Sequence, residues 1–162
     1  MRGFQEGAGI ALEYLILGGT GFVGRRLTGR LGSGAALATG FTSPGDAGCR
    51  FDARSMSLDA ISVPLDSVRY GIILFAEARV DACAADPVET AALNVEATRR
   101  VIDQFLDRGI TPVFASSDLV FDGGTGPYDE GADPRPVVTY GRQKREIERY
   151  LAAAGAPFLI LR

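Results

Sequence analysis

The chain has 162 residues, of which 46% are apolar and 23% are charged, a balance typical of a packed domain and not of a disordered chain. A net charge of −3 argues against a nucleic-acid partner, and the longest apolar run, GIILFA at residues 71–76, is too short to cross a membrane. Two cysteines, no CxxC pair and no histidine exclude the usual zinc sets and a disulfide framework, so we expect no metal. Because the N-terminus also lacks the pattern of a secretory signal, we expect a cytoplasmic protein.

Short apolar segments alternate with helical patterns along the chain. Strands are predicted at 14–17, 35–40, 49–51, 69–76, 110–115 and 158–161, and helices at 22–31, 86–108 and 138–154. Strands that are apolar on both faces and alternate with helices indicate a parallel sheet with helices on both sides. We therefore predict an α/β fold, a doubly wound parallel sheet of the Rossmann type.

The two ends of the chain lead to separate expectations. Residues 1–12 are rich in Gly and Ala and are interpreted as a loose leader, which leaves 13–162 as the folded domain. The last residue, Arg162, directly follows a strand expected to lie deep in the sheet, where a natural domain seldom stops. We therefore expect either a truncated chain or the first half of a longer protein.

A glycine-rich turn joins the first predicted strand to the first predicted helix. Residues 17–24, LGGTGFVG, contain both a GxGxxG and a GxxGxxG pattern. Such a turn lets a pyrophosphate approach bare backbone amides at a helix N-terminus, where the partial charge is positive. A purely structural glycine turn is the alternative, but the strand–turn–helix context favours dinucleotide binding. The expected cofactor contacts are Gly18, Thr20, Gly21, Phe22, Val23 and Gly24.

The end of the second predicted strand bears on the choice of dinucleotide. An NAD site usually has an acid there, about 20 residues after the glycines, to hold the ribose hydroxyls. This chain has Phe41, Thr42 and Ser43 instead, and no acid before Asp46. Small hydroxyl side chains tolerate a 2′-phosphate, which Arg50 is placed to reach. We expect Thr42 and Ser43 to bind NADP, with NAD and a simple turn as the alternatives.

A tyrosine and a lysine stand four residues apart on the last predicted helix. This spacing places Tyr140 and Lys144 on one helical face. Lys144 is the only lysine among 17 basic residues, which argues against an ordinary exposed pair. An ammonium group beside a phenol favours the phenolate, so we expect Lys144 to lower the pKa of Tyr140 towards the range of proton transfer.

With the glycine turn, the Tyr-x-x-x-Lys helix and two serines ending the preceding strand, the chain resembles the short-chain dehydrogenase/reductase superfamily. The spacing from Ser117 to Tyr140 is similar to that of the extended, sugar-nucleotide-modifying branch. Within it, SSDLVFDG at 116–123 and PYDE at 127–130 resemble the dTDP-4-dehydrorhamnose reductases. Dehydratases of this branch have Asp-Glu after the hydroxyl residue, and Leu119 at the Glu position argues against that activity.

The resemblance assigns catalytic roles. It implies that Ser117, with Ser116 as the alternative, polarises a substrate carbonyl and that Tyr140 exchanges a proton with its oxygen. Lys144 would assist Tyr140 and, with it, contact the nicotinamide ribose. Asn94 would order a proton-relay water, with simple helix packing as the alternative.

The resemblance also assigns contacts to the cofactor. Asp52 would contact the adenine, unless it is only a strand-end turn residue. After the fourth predicted strand, only Ala76 fits the small residues that normally lie against the cofactor. We expect Phe75 or Glu77 to crowd the site.

The function implied by the resemblance is NAD(P)H-dependent reduction of a nucleotide-linked 4-keto-deoxysugar. The alternatives are an epimerase of the same branch, a non-catalytic NADP-binding regulatory subunit similar to that of methionine adenosyltransferase, and an inactive fragment. A homodimer paired through helices is the assembly that the resemblance implies. The small C-terminal substrate domain of the family is expected to be missing from these 162 residues.

Overall fold

A computed structural model describes residues 12–42, 49–124 and 126–162. Ser43 and nearly all of the predicted leader lie outside the described residues. Six parallel strands form one sheet in the order β3-β2-β1-β4-β5-β6. Their bounds are β1 Tyr14–Leu17, β2 Ala36–Gly40, β3 Cys49–Arg50, β4 Tyr70–Ile73, β5 Thr111–Ala115 and β6 Leu159–Leu161. The parallel α/β sheet predicted from the sequence is confirmed.

The described residues form five α-helices. They are α1 Phe22–Leu31, α2 Val80–Ala85, α3 Pro87–Ala91, α4 Thr98–Asp107 and α5 Thr139–Ala153. The single helix predicted from Asp86 onward consists of α3 and α4 joined by a π-helical turn, Ala92–Ala97, and α2 was not predicted. Asp86 begins α3 by accepting a hydrogen bond from the Glu89 amide at 2.9 Å. No helix within the described ranges is long and apolar enough to span a bilayer.

The sheet separates two apolar clusters, as the two-residue period of its strands requires. Leu15 and Leu17 of β1 face α4 and α5, where they join the larger cluster with Phe105 and Ile147. Ile16 points to the opposite face and packs with the smaller cluster beneath α1. Helices therefore cover both faces of the centre of the sheet, and the carboxyl ends of the strands form one edge where ligands bind in such folds.

Gly71 in β4 lets the adjacent helix pack closely on the sheet. A Cβ atom at this position would overlap the ring of Phe105 in α4. Gly29, in the exposed part of α1, has no atom within 4 Å of where its Cβ would stand. The two glycines therefore form a matched pair for testing how tightly the sheet and α4 are packed.

We expect Gly71→Ala to lower the free energy of unfolding by about 1–3 kcal/mol, because the added methyl displaces a buried aromatic ring. Gly29→Ala should raise the free energy of unfolding by about 0.5–1 kcal/mol, because alanine is the better helix former. Urea unfolding of both variants measures the difference. Equal stability of the two variants would contradict this packing.

Candidate active site

The turn between β1 and α1 brings backbone segments into close contact. A Cβ atom on Gly24 would overlap the carbonyl oxygen of Gly18, and one on Gly19 would overlap the side chain of Ala38. Gly18 has a φ of +96°, which favours glycine. The N-cap of α1, Gly21, offers no side chain to the first amides, and no acid lies in the first helical turn. This turn therefore has the bare backbone and positive helix end that suit an anionic group.

A cavity of about 290 Å³ opens beside this turn at the carboxyl edge of the sheet. Its wall includes five of the predicted cofactor residues, namely Gly18, Thr20, Gly21, Asp52 and Ala76. Phe41, Phe51, Leu74 and Phe75 add an apolar surface. Residues from the glycine turn and from the segments that follow β3 and β4 therefore meet at one concave site.

The other predicted cofactor residues that the structure describes are not part of this wall. Phe22 and Val23 are 70% and 58% exposed in the first turn of α1, while Gly24 is buried against the glycine turn. Thr42 is exposed and does not line the cavity. Ser43 falls outside the described ranges, so its predicted contact stays a prediction.

Asp52 forms the turn that was the alternative to adenine contact, and the adenine contact itself stays a prediction. Its carboxylate accepts hydrogen bonds from the Arg54 amide and from the Ser55 hydroxyl, both at 3.0 Å, and so forms the turn after β3. The same residue lines the cavity. Next to it in space, Nε of Arg50 donates to the carbonyl oxygen of Phe41 at 3.2 Å, which places a guanidinium group at the end of β2.

Tyr140 and Lys144 lie on the buried face of α5 and are 8% and 5% exposed. The Lys144 ammonium donates to the carbonyl oxygen of Ala115, at the end of β5, at 2.7 Å. It lies 4.6 Å from the centroid of the Phe114 ring and 5.5 Å from that of the Tyr140 ring. Burial lowers the pKa of Lys144 to about 8.

The pKa of Tyr140 differs from expectation. Burial raises it above its usual value, and the nearby Cys83 and Asp118 raise it further. The expected lowering of the Tyr140 pKa is wrong for this structure, because burial of the phenol sets the direction of the shift. Tyr140 is therefore protonated at neutral pH, which is the state that can donate a proton.

Ser117 begins a 3-10 turn, Asp118–Val120, that packs against α5. Its hydroxyl accepts a hydrogen bond from the Leu119 amide and donates one to Oδ1 of Asp118, both at 3.1 Å. A Cβ atom on Gly141 would overlap the Leu119 carbonyl oxygen, so only glycine permits this approach. Gly141 was not predicted to have a packing role, although a glycine inside a helical pattern is a signal for close approach.

Asn94 links the segment after β4 to α5. It is buried in the π-helical turn, where Oδ1 accepts from the Glu77 amide at 2.8 Å and Nδ2 donates to the Glu77 carbonyl at 2.9 Å. Nδ2 also donates to Oε1 of Gln143 at 2.7 Å, and Gln143 donates to the Thr90 hydroxyl at 3.0 Å. These contacts support the packing role for Asn94, while its proton-relay role stays a prediction. Gln143, between Tyr140 and Lys144 in the chain, was missed.

The expected crowding by Glu77 is not found, because this residue does not line the cavity. Its carboxylate forms two hydrogen bonds of 3.0 Å with the Arg79 guanidinium. Hydrogen bonds from Arg79 lower the pKa of Glu77 to about 2. Phe75, in contrast, forms part of the cavity wall.

Residues 12–162 match the family model described as the RmlD substrate binding domain. The chain belongs to this family. The match to sugar-nucleotide reductase relatives confirms the resemblance to the extended short-chain dehydrogenases/reductases.

Two curated relatives have different functions. The β subunit of methionine adenosyltransferase 2 from Xenopus tropicalis is 33% identical over 141 residues, which cover 83% of this chain and 41% of the relative. The dTDP-4-dehydrorhamnose reductase from Sinorhizobium fredii is 33% identical over 92 residues, covering 56% of this chain and 31% of the relative. The chain therefore spans less than half the length of these relatives.

Among solved structures, MoeE5 in complex with UDP-glucose and NAD matches with a TM-score of 0.77 and 29% sequence identity. The match covers 91% of this chain and 52% of that protein. The neighbour therefore shares the fold described above and binds a nucleotide sugar together with NAD.

Because Lys144 is the only lysine, selective ¹³C labelling of lysine gives a single NMR signal from it. We expect this signal to titrate with a midpoint near pH 8, against 10.5 for an ordinary lysine, because burial disfavours the charged form. The same signal in urea-unfolded protein serves as the control. A midpoint above 10 in the folded protein would contradict the burial of the ammonium.

The same burial affects stability. Between pH 8 and 10.5 the unfolded chain keeps the Lys144 proton that the folded chain has released, so this group makes the free energy of unfolding rise with pH over that window. Lys144→Met should remove this dependence and raise the free energy of unfolding at pH 6. Urea titrations at several pH values measure this pH dependence of the free energy of unfolding. An unchanged dependence in the variant would contradict its assignment to Lys144.

Proposed function

We propose that this chain is the cofactor-binding and catalytic part of an NAD(P)H-dependent reductase that acts on a nucleotide-linked 4-keto-deoxysugar. The observation that carries the proposal is a buried tyrosine, protonated at neutral pH, beside a buried lysine at the carboxyl edge of a parallel sheet. The glycine turn and the cavity lie at the same edge. The dTDP-4-dehydrorhamnose reductase relative supports the substrate class.

The residues of the cavity fit a dinucleotide. In the turn from Gly18 to Gly24, Cβ atoms on Gly18 and Gly24 would overlap neighbouring backbone, so glycine keeps this backbone cradle compact, and the start of α1 adds amide donors. Gly18, Thr20, Gly21 and Gly24 would hold the pyrophosphate, and Asp52 would lie at the adenosine end. The bound nicotinamide would supply the hydride.

We infer NADP as the preferred form. The guanidinium of Arg50 stands at the end of β2, where it bonds the Phe41 carbonyl, and it has no ion-pair partner within the described ranges. A guanidinium group at this point suits a ribose 2′-phosphate. Neither Phe41 nor Thr42 provides the carboxylate that would select NAD.

Three side chains of this chain would take part in proton transfer. The Ser117 hydroxyl would turn from Asp118 to the substrate carbonyl and polarise it. Tyr140 would donate its phenolic proton to the same oxygen as negative charge develops there. The Lys144 ammonium would stabilise the tyrosinate that remains. Because burial keeps Tyr140 protonated at neutral pH, the phenol holds the proton that reduction of the carbonyl requires.

A regulatory subunit is the second candidate. It is favoured by the methionine adenosyltransferase β subunit, which is 33% identical across most of this chain. Such a subunit would bind NADP without reducing a sugar. Consumption of NADPH in the presence of dTDP-4-dehydrorhamnose, lost in Tyr140→Phe, supports the reductase, whereas dinucleotide binding together with a synthetase partner and without turnover supports the second candidate.

Gly21→Asp tests the cofactor site with a built-in control of folding. We expect it to abolish binding of NADPH, because the added carboxylate occupies the place of the pyrophosphate. We expect the variant to fold with at most a modest loss of stability. Aspartate is a favourable N-cap residue and the position has extended backbone, with a ψ of 171°, whereas its Cβ would stand only 3.3 Å from the Gly18 carbonyl oxygen. Nicotinamide fluorescence measures the binding, and thermal unfolding measures the stability.

Gly29→Asp is the matched variant, because it adds the same charge to α1 two turns away from the cradle. It should bind NADPH as the unmodified chain does. Failure of the unmodified, folded chain to bind NADPH or NADH would overturn the proposed function. Equal binding by Gly21→Asp and Gly29→Asp would place the dinucleotide elsewhere.

A further inference from the structure

The buried face of α5 carries three polar residues one helical turn apart, namely Tyr140, Lys144 and Glu148. The proposed function uses the first two and leaves Glu148 without a role. Glu148 is only 1% exposed. A carboxylate removed from water in this way is tolerated only when it is paired and hydrogen-bonded, so its partners show what it holds in place.

Both carboxylate oxygens of Glu148 are fully engaged. Oε1 accepts from the Ser116 hydroxyl at 2.6 Å and from Nε of Arg162 at 2.9 Å. Oε2 accepts from Nη2 of Arg162 at 3.0 Å and from Nη1 of Arg145 at 3.1 Å. The carboxylate therefore joins α5 to the end of β5 and to the residue that follows β6.

Ser116 lies between two groups of the candidate active site. Its predecessor, Ala115, provides the carbonyl that accepts the Lys144 ammonium, and its successor is Ser117. The Ser116 amide donates to the Leu161 carbonyl at 2.7 Å, so β6 holds its main chain while Glu148 holds its side chain. Both neighbouring peptide groups are oriented by these two contacts.

The network continues into the segment after Ser117. The Arg162 guanidinium lies 5.3 Å from the centroid of the Phe121 ring, directly beyond the 3-10 turn. Arg162 and Arg145 are only partly exposed, at 24% and 22% of their side chains. Partial burial strengthens their attraction to the carboxylate compared with a surface ion pair.

We propose that Glu148 is a positioning residue of the active site: through Ser116 it fixes the Ala115 carbonyl against Lys144 and sets the place of Ser117. The inference rests on the proposed function only in treating Lys144 and Ser117 as catalytic. The competing explanation is that the network contributes to fold stability alone.

The single lysine signal tests this without any ligand. Ser116→Ala removes the hydroxyl and no charge, so displacement of the strand end would weaken the Lys144–Ala115 hydrogen bond and lower the Lys144 midpoint by about one pH unit. Ser116→Thr keeps the hydroxyl and should retain the unmodified midpoint. Glu148→Gln should shift the midpoint in the same direction as Ser116→Ala.

Glu146→Gln is the matched control, because Glu146 is a half-exposed carboxylate on the same helix that pairs with Arg99. It should leave the lysine midpoint unchanged. Ser116→Ala with a lowered melting temperature and an unshifted midpoint would overturn the proposal. So would an equal shift in Ser116→Thr. If Glu148→Gln does not fold, the two Ser116 variants decide the question.

Turnover provides a second readout. Ser116→Ala should lower kcat for the keto-sugar and leave the Kd for NADPH unchanged, because the cradle and cavity wall do not include Ser116. Absence of turnover in the unmodified chain would count against the proposed function and leave the lysine measurement valid. A normal kcat in Ser116→Ala would overturn the positioning role.

Discussion

The burial of the Lys144 ammonium is the constraint on which the carboxyl edge of the sheet depends. A cation taken out of water needs compensating contacts, and here these are the Ala115 carbonyl and the faces of two aromatic rings. The contacts with Phe114 and Ala115 require α5 and the end of β5 to keep a fixed relation. Glu148 fixes the strand end, and Gln143 fixes the helix against Asn94. The lowered pKa of Lys144 shows that the burial still has a cost, as expected where stability is given up for function.

Most of the fold could be predicted because strand and helix periodicities are local properties of the sequence. The strand predicted at 69–76 shows where this kind of prediction fails. Only Tyr70–Ile73 is strand, and Leu74, Phe75 and Ala76 line the cavity instead. Apolar side chains suit a buried strand and a cavity wall equally, so composition does not separate the two. The π-helical turn at Ala92–Ala97 was also invisible, because it depends on how Asn94 meets the β4 segment and α5.

Some features of the candidate site could likewise be predicted from the sequence, and others could not. Tyr140, Lys144 and the glycine turn could be found because their spacing within one element determines their geometry. Contacts between separate parts of the chain could not be found in this way. They include the approach of Gly141 to Leu119 and the pairing of Glu148 with Arg162. The raised pKa of Tyr140 could not be predicted either. Helical spacing predicts a neighbouring ammonium group, but it does not show that the phenol is buried.

Transfer of deuterium from NADPH to the sugar tests whether the buried Tyr140–Lys144 pair supports reduction of a keto-sugar. The chain is incubated with dTDP-4-dehydrorhamnose and NADPH deuterated at the transferable position, and the mass of the sugar product is measured by mass spectrometry. The account predicts one deuterium in the product of the unmodified chain and none with Tyr140→Phe, although that variant still binds NADPH. Tight NADPH binding by the unmodified chain without any deuterium in the sugar would contradict it.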